Sequence, residues 1–201
     1  MDGLNKFGHL ATLPTDPFRF IALDVETAGK TIGGICQIGL CFVSDTARLQ
    51  TYSVLVDPEE PFEPFNTDLH GIGADTVAGA GTFPTVYAEL FDLLNNHSLV
   101  QHSTFDEKAM TVACARYGLP MITSHWTNSV TVARQAWPAL KGAGGHGLAT
   151  LKKHLGLEFH HHDAGEDARA AATVILRAED VLGMPLSHLS TKRQLAFQFE
   201  N

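Results

Sequence analysis

Between residues 19 and 56, three apolar stretches follow one another with only short turn-forming segments between them. Arg19–Val25 (RFIALDV) reads as a buried strand, Ile35–Val43 (ICQIGLCFV) as a second, and Leu49–Val56 alternates like a third. The linking segments, Ala28–Gly34 and the turn at Ser44-Asp45, are short, so the three strands are predicted to form an antiparallel meander. Asp57–Phe65 (DPEEPFEPF) holds three prolines and reads as a loop. Beyond it the apolar period changes. Val86, Leu90, Leu93 and Leu94 mark a helix entered after Pro84, Leu99–Gln101 a short strand, and Lys108–Tyr117 another helix. Ile122–Trp126 is predicted as a strand; Val130–Trp137, Leu148–Leu155 and Ala164–Leu182 as helices. A strand meander followed by alternating helices and strands predicts one α/β domain. Residues 1–18 are expected to form a loose arm, 19–184 the domain and 185–201 a tail. Trp126 and Trp137 are assigned to the core.

Composition narrows the classes of function. The chain has 201 residues, 44% of them hydrophobic and 18% charged, which is ordinary for one globular domain. No apolar run reaches the ~18–20 residues of a membrane helix, and Met1–Phe18 lacks a basic-then-apolar leader, so a cytoplasmic protein with no membrane partner is expected. Cys36, Cys41 and Cys114 fit no metal-binding spacing and read as reduced, buried residues. The formal net charge of -8 argues against a protein that coats duplex nucleic acid non-specifically. It leaves room for a nuclease, because divalent cations bound to clustered carboxylates attract phosphate.

The acids that carry chemistry sit at element ends. Asp24 and Glu26, at positions i and i+2 near the end of the first strand, share one face, with Val25 on the other. Two acids side by side repel each other, and a cation between them removes that cost; taken alone, the pair is equally a solvated strand end. Asp106 follows the short strand. Thr104 and Glu107 fit a capping box, which puts Asp106 in the first turn of a helix, where an acid also serves the helix dipole alone. Asp163 and Glu166 form a second cap-like pair at the start of the longest helix, with His162 on the loop before it and Asp167 on its first turns. His160 and His161 are read as an exposed polar run. Oxygen ligands without cysteine suit Mg²⁺ or Mn²⁺ rather than structural zinc.

These segments resemble the DEDDh (DnaQ-like) 3′–5′ exonucleases of the ribonuclease H-like superfamily, from about Phe18 to Leu182. Asp24-Val25-Glu26-Thr27 matches the first motif, Asp-x-Glu-Thr, and His162–Ala168 the third, His-x-Ala-x-x-Asp-Ala. His102-Ser103-Thr104-Phe105-Asp106 resembles the second, His-Asn-x-x-Phe-Asp, with Ser103 read in place of the Asn. His70-Gly71-Ile72 resembles the His-Gly-Ile that follows the third strand in such proteins.

The resemblance implies a ribonuclease H-like fold: a five-stranded mixed sheet, its first three strands antiparallel, flanked by helices. It implies two Mg²⁺ or Mn²⁺ ions held by Asp24, Glu26, Asp106 and Asp167, with His162 as general base. The expected reaction releases nucleoside 5′-monophosphates from a nucleic-acid 3′ end. Single-stranded DNA is the favoured substrate; RNA or oligoribonucleotide is the alternative, and a non-catalytic polymerase-associated binding module is a third reading. Thr27 is expected to touch the terminal nucleotide, and His70 to do the same or to serve the turn. Ile38 and Phe65 are candidates to flank the terminal base, with core or loop packing as the competing role. Ser103 is expected near the substrate strand. A DNA polymerase is the implied partner, and a homodimer is compatible with the family.

Overall fold

The computed structural model describes residues 11–15, 17–158 and 161–189. Strands β1 (Phe20–Thr27), β2 (Ile35–Val43) and β3 (Leu49–Leu55) come first, followed by helices α1 (Pro64–His70), α2 (Ala74–Val77) and α3 (Phe83–Asn96). Strand β4 (Leu99–Gln101) leads to α4 (Phe105–Tyr117), and β5 (Trp126–Asn128) leads directly into α5 (Ser129–Ala136). A short 3-10 helix at Pro138–Leu140, then α6 (Leu148–Leu155) and α7 (Ala164–Leu182), complete the order.

The strands form one sheet in the order β3-β2-β1-β4-β5. β1, β2 and β3 are antiparallel neighbours, while β4 runs parallel to β1 and β5 parallel to β4. Register places Ile21 opposite Phe42, Leu23 opposite Leu40 and Val25 opposite Ile38. These pairs belong to the larger core, which also holds Phe83, Tyr87, Leu90 and Leu94 of α3 and Ala109, Met110 and Ala113 of α4. The alternate residues of β1 face the other way. Phe20 pairs with Val43 and Ala22 with Cys41, and both join a second core with Ala168, Ala171, Ala172 and Ile175 of α7. Period-2 alternation then carries this second face on to Asp24, opposite Gly39, and Glu26, opposite Gln37. The strand is thus apolar where α7 covers it and acidic where the cover ends.

Two contacts fix the start of α7. A Cβ on Gly39 would lie 2.0 Å from the Ala164 carbonyl carbon and 2.2 Å from the Gly165 nitrogen, so the helix backbone rests directly on the strand. Beside it, Gln37 accepts from Ala164 N–H (3.1 Å) and donates to Asp163 Oδ2 (3.1 Å). Asp163 caps the helix through Glu166 N–H (3.1 Å), as the sequence pattern predicts.

Several local expectations are corrected. The segment 57–65 is not all loop: Pro64 opens α1, where its missing N–H would have had no partner in a helix anyway. The Thr104–Glu107 capping box does not form. Ser103 Oγ takes the Phe105 N–H (3.1 Å) instead, and the Gln101 side chain holds both Glu107 N–H (3.0 Å) and its carboxylate (2.9 Å). β5 begins only at Trp126, because Thr123 and Ser124 are tied to Asn95 and to the Leu94 carbonyl of α3. Leu13 and Phe18 pack on the larger core, and Leu186 and Leu189 are buried in the second, so packing extends beyond 19–184 on both sides. The remainder of the arm (1–10 and 16) and of the tail (190–201) lies outside the described residues, as does His160. Cys36, Cys41 and Cys114 are free and buried, and burial pushes the first two thiols up to about 12. No described helix is long and apolar enough to cross a membrane.

Gly39→Ala is expected to destabilise the fold by about 3 kcal/mol, at the upper end for overpacking, because backbone rather than side-chain atoms must move. Chemical denaturation of variant and parent measures it; an unchanged midpoint contradicts the contact.

Candidate active site

Three elements deliver four carboxylates to one hollow of about 290 Å³. β1 supplies Asp24 and Glu26, the first turn of α4 supplies Asp106, and the first turn of α7 supplies Asp167. Carboxylate oxygens of Asp24, Glu26 and Asp167 all lie within 4.8 Å of one another. Asp106 is anchored differently: its Oδ1 accepts the Val25 N–H at 3.1 Å, tying α4 to the strand between the two β1 acids. Among the described residues, no Lys or Arg lines the hollow.

Burial and mutual repulsion shift the whole set. Asp24 is raised well above the usual carboxylate range, by burial first, then by Asp106, Asp167 and Glu26. Glu26 is pushed up to about 8, by burial and then by Asp167 and Asp106. Burial lifts Asp106 to about 7, against the pull of the Val25 N–H. Asp167 is also raised by burial, while the His162 N–H and His161 work against the shift. Without added positive charge, Glu26 and Asp106 take up protons in the neutral range. Four hard oxygen donors without a balancing cation fit divalent metal ions of the Mg²⁺ or Mn²⁺ kind.

The two adjacent histidines divide their roles. His161 is exposed, as read from the sequence, yet its Nδ1 lies 3.0 Å from both Asp167 oxygens and so joins the site. His162 donates its backbone N–H to Asp167 Oδ2 (2.9 Å), at a left-handed φ of 69°. Its imidazole stacks on His161 (4.0 Å) and faces the hollow, and among the described residues no hydrogen bond engages it. Burial, then His161, lower its pKa below the ordinary value, which keeps it neutral at pH 7.

The remaining candidates are scattered. Thr27 and Ser103 line the hollow. Ser103 has φ 110°, and Asn128 Oδ1 accepts its N–H at 3.3 Å. Counted back from Phe105-Asp106, the second motif places Gln101 and His102, not His102 and Ser103, at its His-Asn positions. His70 serves the turn: Nδ1 accepts from Ile72 N–H (3.0 Å) and Nε2 meets the Thr27 carbonyl (3.1 Å). Ile38 is fully buried against the larger core, on the face of the sheet opposite Asp24, so no base can stack on it. Phe65 is 74% exposed on α1 and outside the lining of the hollow. Asn66, Leu69 and Phe105 occupy that lining instead. Phe105 is the Phe of the second motif, whereas α1, which carries Asn66 and Leu69, was hidden by its prolines and nothing in the spacing marked those two.

The sequence profile of the RNase T exonuclease family matches residues 21–175. The chain belongs to that exonuclease family. It is 31% identical over 160 residues to the PolC-type DNA polymerase III of Streptococcus suis, and equally to that of Streptococcus mutans. Each alignment covers 78% of this chain and 11% of the polymerase, so the chain spans about a tenth of the length of these curated relatives. Its fold resembles the nuclease domain of 3′hExo, a DEDDh family member, solved bound to rAMP (TM-score 0.69, 20% identity, 79% of this chain and 90% of that one). It also resembles Exonuclease X solved with 5′-overhanging duplex DNA (TM-score 0.64, 23% identity, 84% and 95%). The five-stranded mixed sheet is thus the ribonuclease H-like arrangement expected for a DEDDh exonuclease, and the enzyme is a hydrolase.

The raised carboxylates set a pH dependence. A group such as Glu26, near 4.5 in the unfolded chain and about 8 when folded, binds more protons in the native state across that interval. Stability of the metal-free protein therefore falls as pH rises from about 5 to 8. Added Mn²⁺ is expected to raise Tm most at the alkaline end. Asp24→Asn should raise the metal-free Tm at pH 8 by about 2–4 °C for each kcal/mol of repulsion relieved, and shrink the gain from Mn²⁺. Thermal melts across pH with and without Mn²⁺ test this; a flat metal-free profile would count against the clustered charge.

Proposed function

We propose that this exonuclease removes nucleoside 5′-monophosphates from the 3′ end of single-stranded DNA, using two divalent cations and His162 as general base. The observation that carries the reading is the convergence of Asp24, Glu26, Asp106 and Asp167 with a neutral imidazole on one hollow. DNA is favoured because the relatives that share the domain are DNA polymerases. RNA is the second reading, supported by the rAMP held by the 3′hExo domain.

The four acids would hold the cations, which supply positive charge for the phosphate oxygens and for the oxygens that enter and leave. His162 takes a proton from the attacking water. The water oxygen bonds to the terminal phosphorus, the P–O3′ bond to the penultimate nucleotide breaks, and that O3′ gains a proton. The base role goes to His162 rather than His161 because His161 Nδ1 is already engaged with Asp167. Thr27, on the wall of the hollow beside Glu26, is the proposed contact for the terminal nucleotide, and Ser103, on the same wall, the proposed contact for the strand. A partnership with a polymerase follows from the same relatives and belongs to this proposal.

His162→Ala is expected to lower kcat by about 10²–10⁴ while keeping the Mn²⁺-induced rise in Tm. Loss of the metal response instead would make His162 a ligand. His161→Ala should keep most of the rate; if it is the more damaging change, the assignment of the base is reversed. At saturating metal, the acid limb of kcat/KM is expected below pH ~6.5, in line with the lowered pKa of His162. Asp24→Ala should abolish turnover without unfolding. Matched DNA and RNA oligomers labelled at either end give polarity and sugar preference, and products appearing first from the 5′ end would overturn the proposal.

A further inference from the structure

A second hollow lies beside the acidic one and has the opposite character. It measures about 500 Å³ and is lined by Arg134, Pro138, Lys141, Gly142, Gly145 and His146. Among the described residues, no carboxylate lines it. What sets Arg134 and Lys141 apart from the other exposed cations is that both line this one hollow. Arg19, Arg116 and Arg169 each pair with a glutamate (Glu179, Glu60 and Glu166), but Arg134 and Lys141 have no ion-pair partner among the described residues. The wall between them is a glycine-rich loop. Gly142 and Gly145 have φ of 87° and 78°, a conformation that side chains resist, and a Cβ at either would meet nothing within 4 Å. Backbone is therefore open to close approach there, and among the described residues the Gly142 N–H has no acceptor.

Position connects the two hollows. His146 lines the basic one and Leu148 the acidic one. Two residues of chain reach at most ~7 Å, so the walls adjoin. Leu148 is itself fixed in a small core with Ala133, the neighbour of Arg134, and Leu151.

We propose that the Arg134–Lys141 hollow is an anion subsite that takes phosphates of the strand upstream of its 3′ end; the proposal rests on the exonuclease reading of the acidic hollow. Guanidinium, ammonium and a bare backbone N–H are the donors that phosphodiester oxygens require. The subsite would hold the strand without reading its sequence, and would compensate locally for the repulsion between an acidic protein and a polyanion.

The test uses Arg134→Glu combined with Lys141→Glu, and the milder Arg134→Gln and Lys141→Gln singly. Two substrates are compared: a single-stranded 12-mer, and the p-nitrophenyl ester of thymidine 5′-monophosphate, which has no upstream phosphate. The double variant is expected to lose at least tenfold more kcat/KM on the 12-mer than on the ester. Anisotropy titration of a labelled 12-mer in Ca²⁺ should show weaker binding, with a salt slope about 1.4 smaller, as for two lost contacts to a single strand. Each Gln variant should show part of the loss. Equal losses on both substrates, or an unchanged Kd and salt slope, overturn the subsite. If the parent hydrolyses neither substrate, the nuclease reading fails and the titration alone decides the subsite.

Discussion

The closeness of α7 to β2 is the contact on which the rest depends. Because Gly39 has no side chain, the first turn of the helix lies on the strand, and Gln37 holds that turn from the side through Ala164 and Asp163. Asp167 follows within the same turn and so reaches the acids of β1. Asp106 arrives by a separate route, through its bond to the Val25 N–H. The two helices thus meet the acidic end of one strand by independent anchors. A shift in either would leave the other ligands in place but incomplete.

That assembly works against stability when no cation is present. Buried carboxylates facing one another must bind protons or repel, and the shifts of Asp24, Glu26 and Asp106 all point the same way. His161 offsets part of this at Asp167. The cores on both faces of the sheet carry the burden, with large apolar side chains on one face and the close-packed alanines of α7 on the other. The small residues of α7 also keep the helix near enough to the sheet for its first turn to reach β1.

Much of this was legible in the sequence, for identifiable reasons. Alternation gave the meander, and the apolar period marked α6 and α7 residue for residue. The i, i+2 rule placed Asp24 and Glu26 on a shared face, and the Asp163 cap set Asp167 one turn into its helix. The failures share a cause: local rules cannot see competing long-range partners. Thr104 looked like a cap, but Gln101 already holds both the Glu107 N–H and the Glu107 carboxylate that the cap would use. Ile38 looked available to a base, but its register with Val25 turns it into the core. Among the adjacent histidines, no periodicity could tell which imidazole would engage Asp167 and which would stay open. His70 offered two readings, and its backbone partners at Ile72 and Thr27 follow only from the folded turn.

Ser103 and His162 both hold left-handed backbone on loops that lead into the acid-bearing helices. Such residues cost about 1–3 kcal/mol each where glycine would not. At Ser103 a glycine would relieve that cost but lose the hydroxyl that takes the Phe105 N–H, whereas at His162 the backbone N–H to Asp167 would survive the change, so a search for heat resistance would find a gain there. At His162 that gain would come at the expense of the residue proposed to do the chemistry, so durability and turnover pull against each other at that point in the chain.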